Sequence, residues 1–230
     1  MADKYIKGFI NPLAFLEVDS PWAPMGDAKV SVEAILNYIC PTTNPDTLIA
    51  KYKEISIENP RLNIVPAEDR ILEKLIWPLK HAKASYMLGN PLGTISLCGM
   101  VAEMVAILYF DISDTKINGE KIDEQKQKLL FGCKFEKLGQ ERRIRTLRFF
   151  NIISQETEDK FHKIRNIRRK YLHLWSQDHQ RVSTDSIEIF KATTSIVAEI
   201  IGQDFIDGRI KINPSILRYL EKTGTYEPED

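Results

Sequence analysis

Cysteine is scarce in this chain. Cys40, Cys98 and Cys133 are far apart, odd in number and form no Cys-x-x-Cys pair. That pattern supports neither a disulfide framework nor a zinc site, and it suits a reducing, cytoplasmic setting. No Gly-rich phosphate loop and no His-Glu-x-x-His helix occurs, so nucleotide chemistry of the P-loop kind and zinc-protease chemistry have no support, and neither metal nor cofactor is expected. The opening residues MADKYIKGFINP lack the long apolar core of a secretion signal. The most apolar stretch, Leu92 to Phe110, is interrupted by Gly93, Thr94, Ser96, Gly99 and Glu103. It reads as a buried helix rather than a membrane span. Net charge is also absent: 32 Lys and Arg stand against 32 Asp and Glu.

What is present is unevenly placed. From Lys134 to Lys170 twelve Lys and Arg face five Asp and Glu, and the rest of the chain is acidic by the same margin. The spacing suggests a local anion-binding face on an acidic body. The alternative is a solvated helix face balanced by neighbouring acids. At 230 residues and 43% hydrophobic content the chain has material for one packed domain with an extension.

The fold class expected is all-α, with no internal repeat. Residues 1–60 read as an N-terminal extension. Pro12, Pro21 and Pro24 mark irregular chain, Trp22 is a candidate anchor, Val30–Ile39 has helical spacing, and Asn44-Pro45-Asp46 caps a short helix to about Ile55. Residues 61–222 form the helical domain, and 223–230 an acidic tail. After the connector 59–65, a helix spans about 67–88, with a kink at Pro78. Gly89-Asn90-Pro91 stops it, turns the chain and starts the next. That next helix is apolar nearly all round and belongs in the middle of a bundle. An Asn118-Gly119 turn leads to a short charged helix over 121–130. Residues 135–150 are helical, with Ile144, Leu147 and Phe150 inward and Arg142, Arg143, Arg145 and Arg148 outward. Ser154 caps the next helix and Ser183 or Thr184 another, to about 204. Residues 208–212 read as extended and 214–222 as a last helix.

The chemistry concentrates in Glu156–His179, ETEDKFHKIRNIRRKYLHLWSQDH, which holds three of the four histidines. Taken as one helix at about 100° per residue, Phe161, Ile164, Leu172 and Trp175 make one apolar stripe. Arg168 falls inside it, about 20° from Phe161. Arg165, Arg169 and His173 follow along one edge. An arginine cannot shed its charge, so Arg168 needs a carboxylate or a polar cleft. The lone charge on the apolar helix, Glu103, is expected to pair with Arg165 or Arg168 and to hold the motif in place. His81 and His162 read as surface or core residues, His179 as a helix-end residue, and Cys98 and Cys133 as core.

KIRNIRRKYLH resembles the signature of the HEPN superfamily, an Arg followed after four to six residues by a His on one helix. Arg168 and His173 enclose four. AKASYMLGNPLGTISLCGMVAEM is similar to the first helical hairpin of stand-alone bacterial HEPN proteins, and the likeness covers about residues 66–204. It implies a four- or five-helix bundle and a homodimer joined through the motif helices. It also implies metal-independent endoribonuclease activity in a toxin or antiviral setting. By that resemblance His173 is the general acid or base and Arg168 stabilises the phosphorane. Beside the resemblance, charge and placement make Glu103, Arg165 and Arg169 the expected supporting residues and Arg142, Arg143, Arg145, Lys170 and Tyr171 the expected RNA contacts. The family usually places Asn, Asp or His after the Arg; this chain has Arg169.

The residue types suit the reaction, because an imidazole titrates near neutral pH and a guanidinium offers phosphate a planar donor pair. On a regular helix, residues five apart point about 140° away from each other, so one helix does not aim Arg168 and His173 together. Two other readings stay open: a HEPN-fold protein that binds RNA or a nucleotide without cutting, and an all-helical interaction module in which Arg168–Glu103 is purely structural.

Overall fold

The computed structural model describes residues 44–56, 66, 68–117, 119–173, 178–202, 204–206 and 209–223. Trp22, the 30–39 helix, the 59–65 connector, Trp175 and the acidic tail lie outside the described residues. The architecture is mostly helical, as expected. Helix α1 (Pro45–Ile55) starts where Asn44 accepts from the Asp46 amide, and it seats fully buried Ile55. Helix α2 (Asp69–Ile71) runs through a π turn (Leu72–Ile76) into α3 (Trp77–Met87). Pro78 explains the π turn: a proline inside an α-helix clashes with the carbonyl four residues back, and one wider turn relieves that conflict without ending the helix. The Trp77 amide accordingly reaches the Leu72 carbonyl, five residues back.

Gly89, at φ +83°, makes the reversal that a side chain would resist. Asn90 then caps α4 (Pro91–Ile112) through the Gly93 amide. This helix is the axis of the bundle. It is long and apolar enough to cross a membrane, yet most of it is covered by the surrounding helices. A hairpin of β1 (Lys116–Ile117) and β2 (Glu120–Lys121) follows, pairing Ile117 with Glu120; Asn118 of the expected turn lies outside the described residues. Then comes α5 (Glu124–Phe131), capped by Asp123 and ended by Gly132. The stretch expected as one helix over 135–150 is broken: a 3-10 turn (Phe135–Lys137), an extended Leu138-Gly139, and α6 (Gln140–Phe149).

Helix α7 (Gln155–Leu172) carries the motif; Ser154 caps it by accepting from the Thr157 amide. Helix α8 (Val182–Ile201) begins at Arg181 with no side-chain cap, so neither Ser183 nor Thr184 serves as one. A second hairpin, β3 (Asp204–Ile206) with β4 (Arg209–Lys211), includes the extended piece expected near 208–212, and α9 (Pro214–Thr223) closes the described chain. Helix α4 packs against α3, α6, α7 and α8, and the core is continuous around it.

Two expectations about α7 are corrected. The helix stops at Leu172 rather than continuing to 179: His173, at φ −130° and ψ −11°, is its cap and gives its amide to the Arg169 carbonyl. Its inner stripe is Phe161, Ile164 and Tyr171, while Leu172 is exposed. Tyr171 turns inward because its hydroxyl finds buried Asp185 at 2.6 Å, which satisfies a polar group that packing removes from water.

Candidate functional site

The site is built from α4, α6 and α7. Helix α7 crosses α4 at Gly99, and the stem of Arg168 lies over that glycine. A methyl group at Gly99 would overlap Cδ of Arg168 and come to 3.0 Å from its Nε. Gly99 therefore makes the close approach possible. We expect Gly99→Ala either to part the two helices or to swing Arg168 off its seat. Thermal unfolding should show a loss of about 1–3 kcal/mol, the range for overpacking.

One turn further along α4, Glu103 receives Arg168. Nη1 of Arg168 donates to Oε1, and Nη2 of Arg143 reaches Oε2 at 3.3 Å. The expected Glu103–Arg168 pair is present, and Arg165 is not part of it. Arg143 is the correction. Expected outward as an RNA contact, its side chain is only 9% exposed, and its Nε donates to the Leu138 carbonyl at 2.7 Å. It lies one turn before Leu147, about 40° around the helix, and so shares the inward face. Tyr171 is likewise unavailable for stacking.

A second carboxylate repeats the device. Glu141 takes Nη2 of Arg165 and Nη2 of Arg145, each at 2.6 Å. Two glutamates thus bridge four arginines. Arg169 is exposed, with no ion pair among the described residues. Five guanidiniums against two carboxylates leave this face positive. Such an excess favours an anion, although salt screens its exposed part.

The charges converge on a cavity of about 240 Å³ lined by Gln140, Arg165, Arg168, Arg169 and His173. Arg168 and His173 share it although a regular helix would splay them. The reason is the helix stop: the φ of His173 turns its side chain off the helical lattice. Nε2 of Gln140 is buried with no hydrogen-bond partner among the described residues. Gln140 and the bridging role of Glu141 went unread in the sequence. The Glu141–Arg145 spacing of four was the available signal, whereas Gln140 gave none, since its place depends on the break at Leu138-Gly139.

The end of the motif helix is tied down separately. Asp185 accepts from Tyr171 at 2.6 Å and from Lys170 at 3.1 Å, with Arg181 at 3.9 Å. Lys170, expected on RNA, is engaged here and lies 4.8 Å over the Tyr171 ring. Burial pushes the Asp185 carboxyl upward. The hydrogen bonds from Tyr171 and Lys170, with the charges of Lys170 and Arg181, outweigh it and hold the group below its ordinary value. A depressed carboxylate stabilises the fold above its unfolded pKa, about 3.9, and loses that contribution as pH falls through the folded value. The melting-temperature gap between wild type and Asp185→Asn should be constant at neutral pH and close on acidification below about pH 4.

The other candidates carry less. His81 is exposed, His162 sits 3.6 Å from Glu158, and His179 packs its ring edge on Tyr171. Cys98 is buried, and burial pushes its thiol up to about 12, far from a reactive thiolate. Cys133 is partly buried. Arg142 and Arg145 are exposed on α6, as expected, and flank a different concavity from the motif's. No family model, no curated protein and no solved structure matches this chain.

Proposed function

We propose that the protein is a metal-independent endoribonuclease of HEPN type that acts as a cytoplasmic homodimer. The observation that carries this reading is the single cavity lined by His173 and three arginines, Arg165, Arg168 and Arg169. In this chemistry the 2′-hydroxyl of RNA loses its proton to an imidazole, and its oxygen attacks the adjacent phosphorus. The P–O5′ bond breaks, and a protonated imidazole gives a proton to the departing 5′-oxygen. The products are a 2′,3′-cyclic phosphate and a 5′-hydroxyl. One chain places one histidine at the cavity. A two-fold pairing through the motif helices supplies the second, so one acts as base and the other as acid. Arg168, held by Glu103, and Arg169, with no carboxylate of its own among the described residues, stabilise charge on the phosphorane.

A second reading is RNA or nucleotide binding without cutting. What favours it is Arg169, standing beside the motif arginine where the family carries a small polar residue, and the commitment of Arg168 Nη1 to Glu103. Mixed cellular RNA incubated with the protein in EDTA separates the two. Cutting by a species of dimeric mass supports the nuclease. Intact RNA that nonetheless comigrates with the protein supports binding, and a strictly monomeric protein counts against the nuclease.

A further inference from the structure

Helix α6 joins the motif cavity to a second concavity of different character. At its start Gln140 lines the anion cavity, and along another face, from its first turn to its last residue, Arg142, Arg145, Thr146 and Phe149 border a groove of about 590 Å³. The apolar lining of that groove includes Ile117, Leu130, Phe131 and Phe150. Phe149 is 80% exposed, with its ring edge-on to Phe150 at 5.3 Å, and Leu130 in the lining is 44% exposed. An aromatic ring so open to water contributes little to the fold, and an exposed apolar patch of this kind marks a contact surface. Two arginines border it and no carboxylate is among the described lining residues. The two concavities are physically linked: Arg145 borders the groove and pairs with Glu141, which pairs with Arg165 of the anion cavity. Nine residue steps along α6 separate Gln140 from Phe149, about 13 Å.

We propose that this groove is a base-accepting subsite for single-stranded RNA, in which an unpaired base stacks on Phe149 while Arg142 and Arg145 hold the neighbouring phosphates. The inference rests on the RNA reading of the motif cavity and extends it by placing a base-binding subsite on α6, outside the motif. Exposed aromatic faces interleaved with guanidiniums suit single strands, whose bases are free to stack. In a duplex the bases are already stacked on one another and the groove would gain nothing. The exposed Arg142 guanidinium, with no carboxylate among the described lining residues, argues for an anionic occupant over an apolar protein segment, which would leave Arg142 without a partner.

The test is fluorescence anisotropy with a labelled 2′-O-methyl RNA strand, alone and annealed to its complement. Its 2′-oxygen carries no proton, so binding is measured apart from cutting. Wild type should bind the single strand tighter than the duplex. Phe149→Ala should weaken single-strand binding about tenfold, Phe149→Trp should retain it, and Arg142→Ala should lower the salt dependence by about one phosphate contact. Phe149 is exposed enough that these variants should fold normally. Arg169→Ala in the same titration reports on the motif cavity, so loss there with Phe149→Ala unaffected overturns the groove and spares the cavity. Equal binding of strand and duplex overturns the proposal. So does a Phe149→Ala protein that binds RNA normally but has lost its dimeric mass, because a second copy then covers the groove.

Discussion

Replacing His173 with alanine should reduce RNA cutting by about a hundredfold to ten-thousandfold, the usual worth of a positioned acid or base, and leave the melting temperature unchanged. The two halves of this expectation come from the same geometry. His173 is exposed, and the bond that ends α7 runs from its backbone amide to the Arg169 carbonyl, which alanine preserves. The imidazole lines the cavity without bracing it. Loss of cutting together with a fall in melting temperature would assign the residue a structural role instead. Arg168→Ala is a less clean probe, because it also strips Glu103 of one of its two partners and leaves open space over Gly99.

Removing the Glu103 carboxylate should destabilise the protein more than any other single change in the site. Glu103→Ala leaves Arg143 charged, largely buried and facing only the Leu138 and Glu103 carbonyls. Breaking a fully buried ion pair costs about 3–5 kcal/mol. The Glu103 side chain is 23% exposed, so water recovers part of that, and about 2–4 kcal/mol is the expected loss after this discount. At roughly 2–4 °C per kcal/mol for a chain of this size, the melting temperature should fall by about 4–16 °C. Glu103→Gln keeps one acceptor and should fall less. If Glu103→Ala is further combined with Arg143→Met, which removes the orphaned charge and keeps the volume, much of the loss should return. A Glu103→Ala protein as stable as wild type would mean that the two arginines reach solvent and that the carboxylate does not organise the site.

The sequence carried the parts of this structure that depend on local chemistry. Asn44, Asn90 and Ser154 sit at helix starts because their side chains satisfy first-turn amides, and each was readable as such; Asp123 does the same, but the charged helix it caps was expected to start at 121 rather than at Glu124. The apolar α4 could only be central, and a carboxylate on it could only seek a cation. What stayed hidden depends on how helices meet. Four arginines lie within seven residues of α6, and Arg143 goes inside because its face is the one that meets α4 beside Leu138 and Glu103. The end of α7 at Leu172 was hidden for a related reason. Lys170, Tyr171 and His173 all extend a helical pattern, and what anchors the helix end is Asp185, on α8 and distant in sequence. Pro78 announced a disturbance without saying that it would be a widened turn. Gly99 looked like an interruption of an apolar run, and its use became visible only with Arg168 lying across it.

The most direct measurement is the chemistry of the cut ends. A defined RNA oligonucleotide is incubated with the protein in EDTA, and the products are identified by mass spectrometry, with a second oligonucleotide carrying one 2′-deoxy sugar at the cut position. Fragments ending in a 2′,3′-cyclic phosphate, with 5′-hydroxyl partners, and no cutting at the deoxy position, are the result expected of His173 and the arginine cavity. Intact RNA at high protein concentration, or fragments bearing 5′-phosphates, would contradict it.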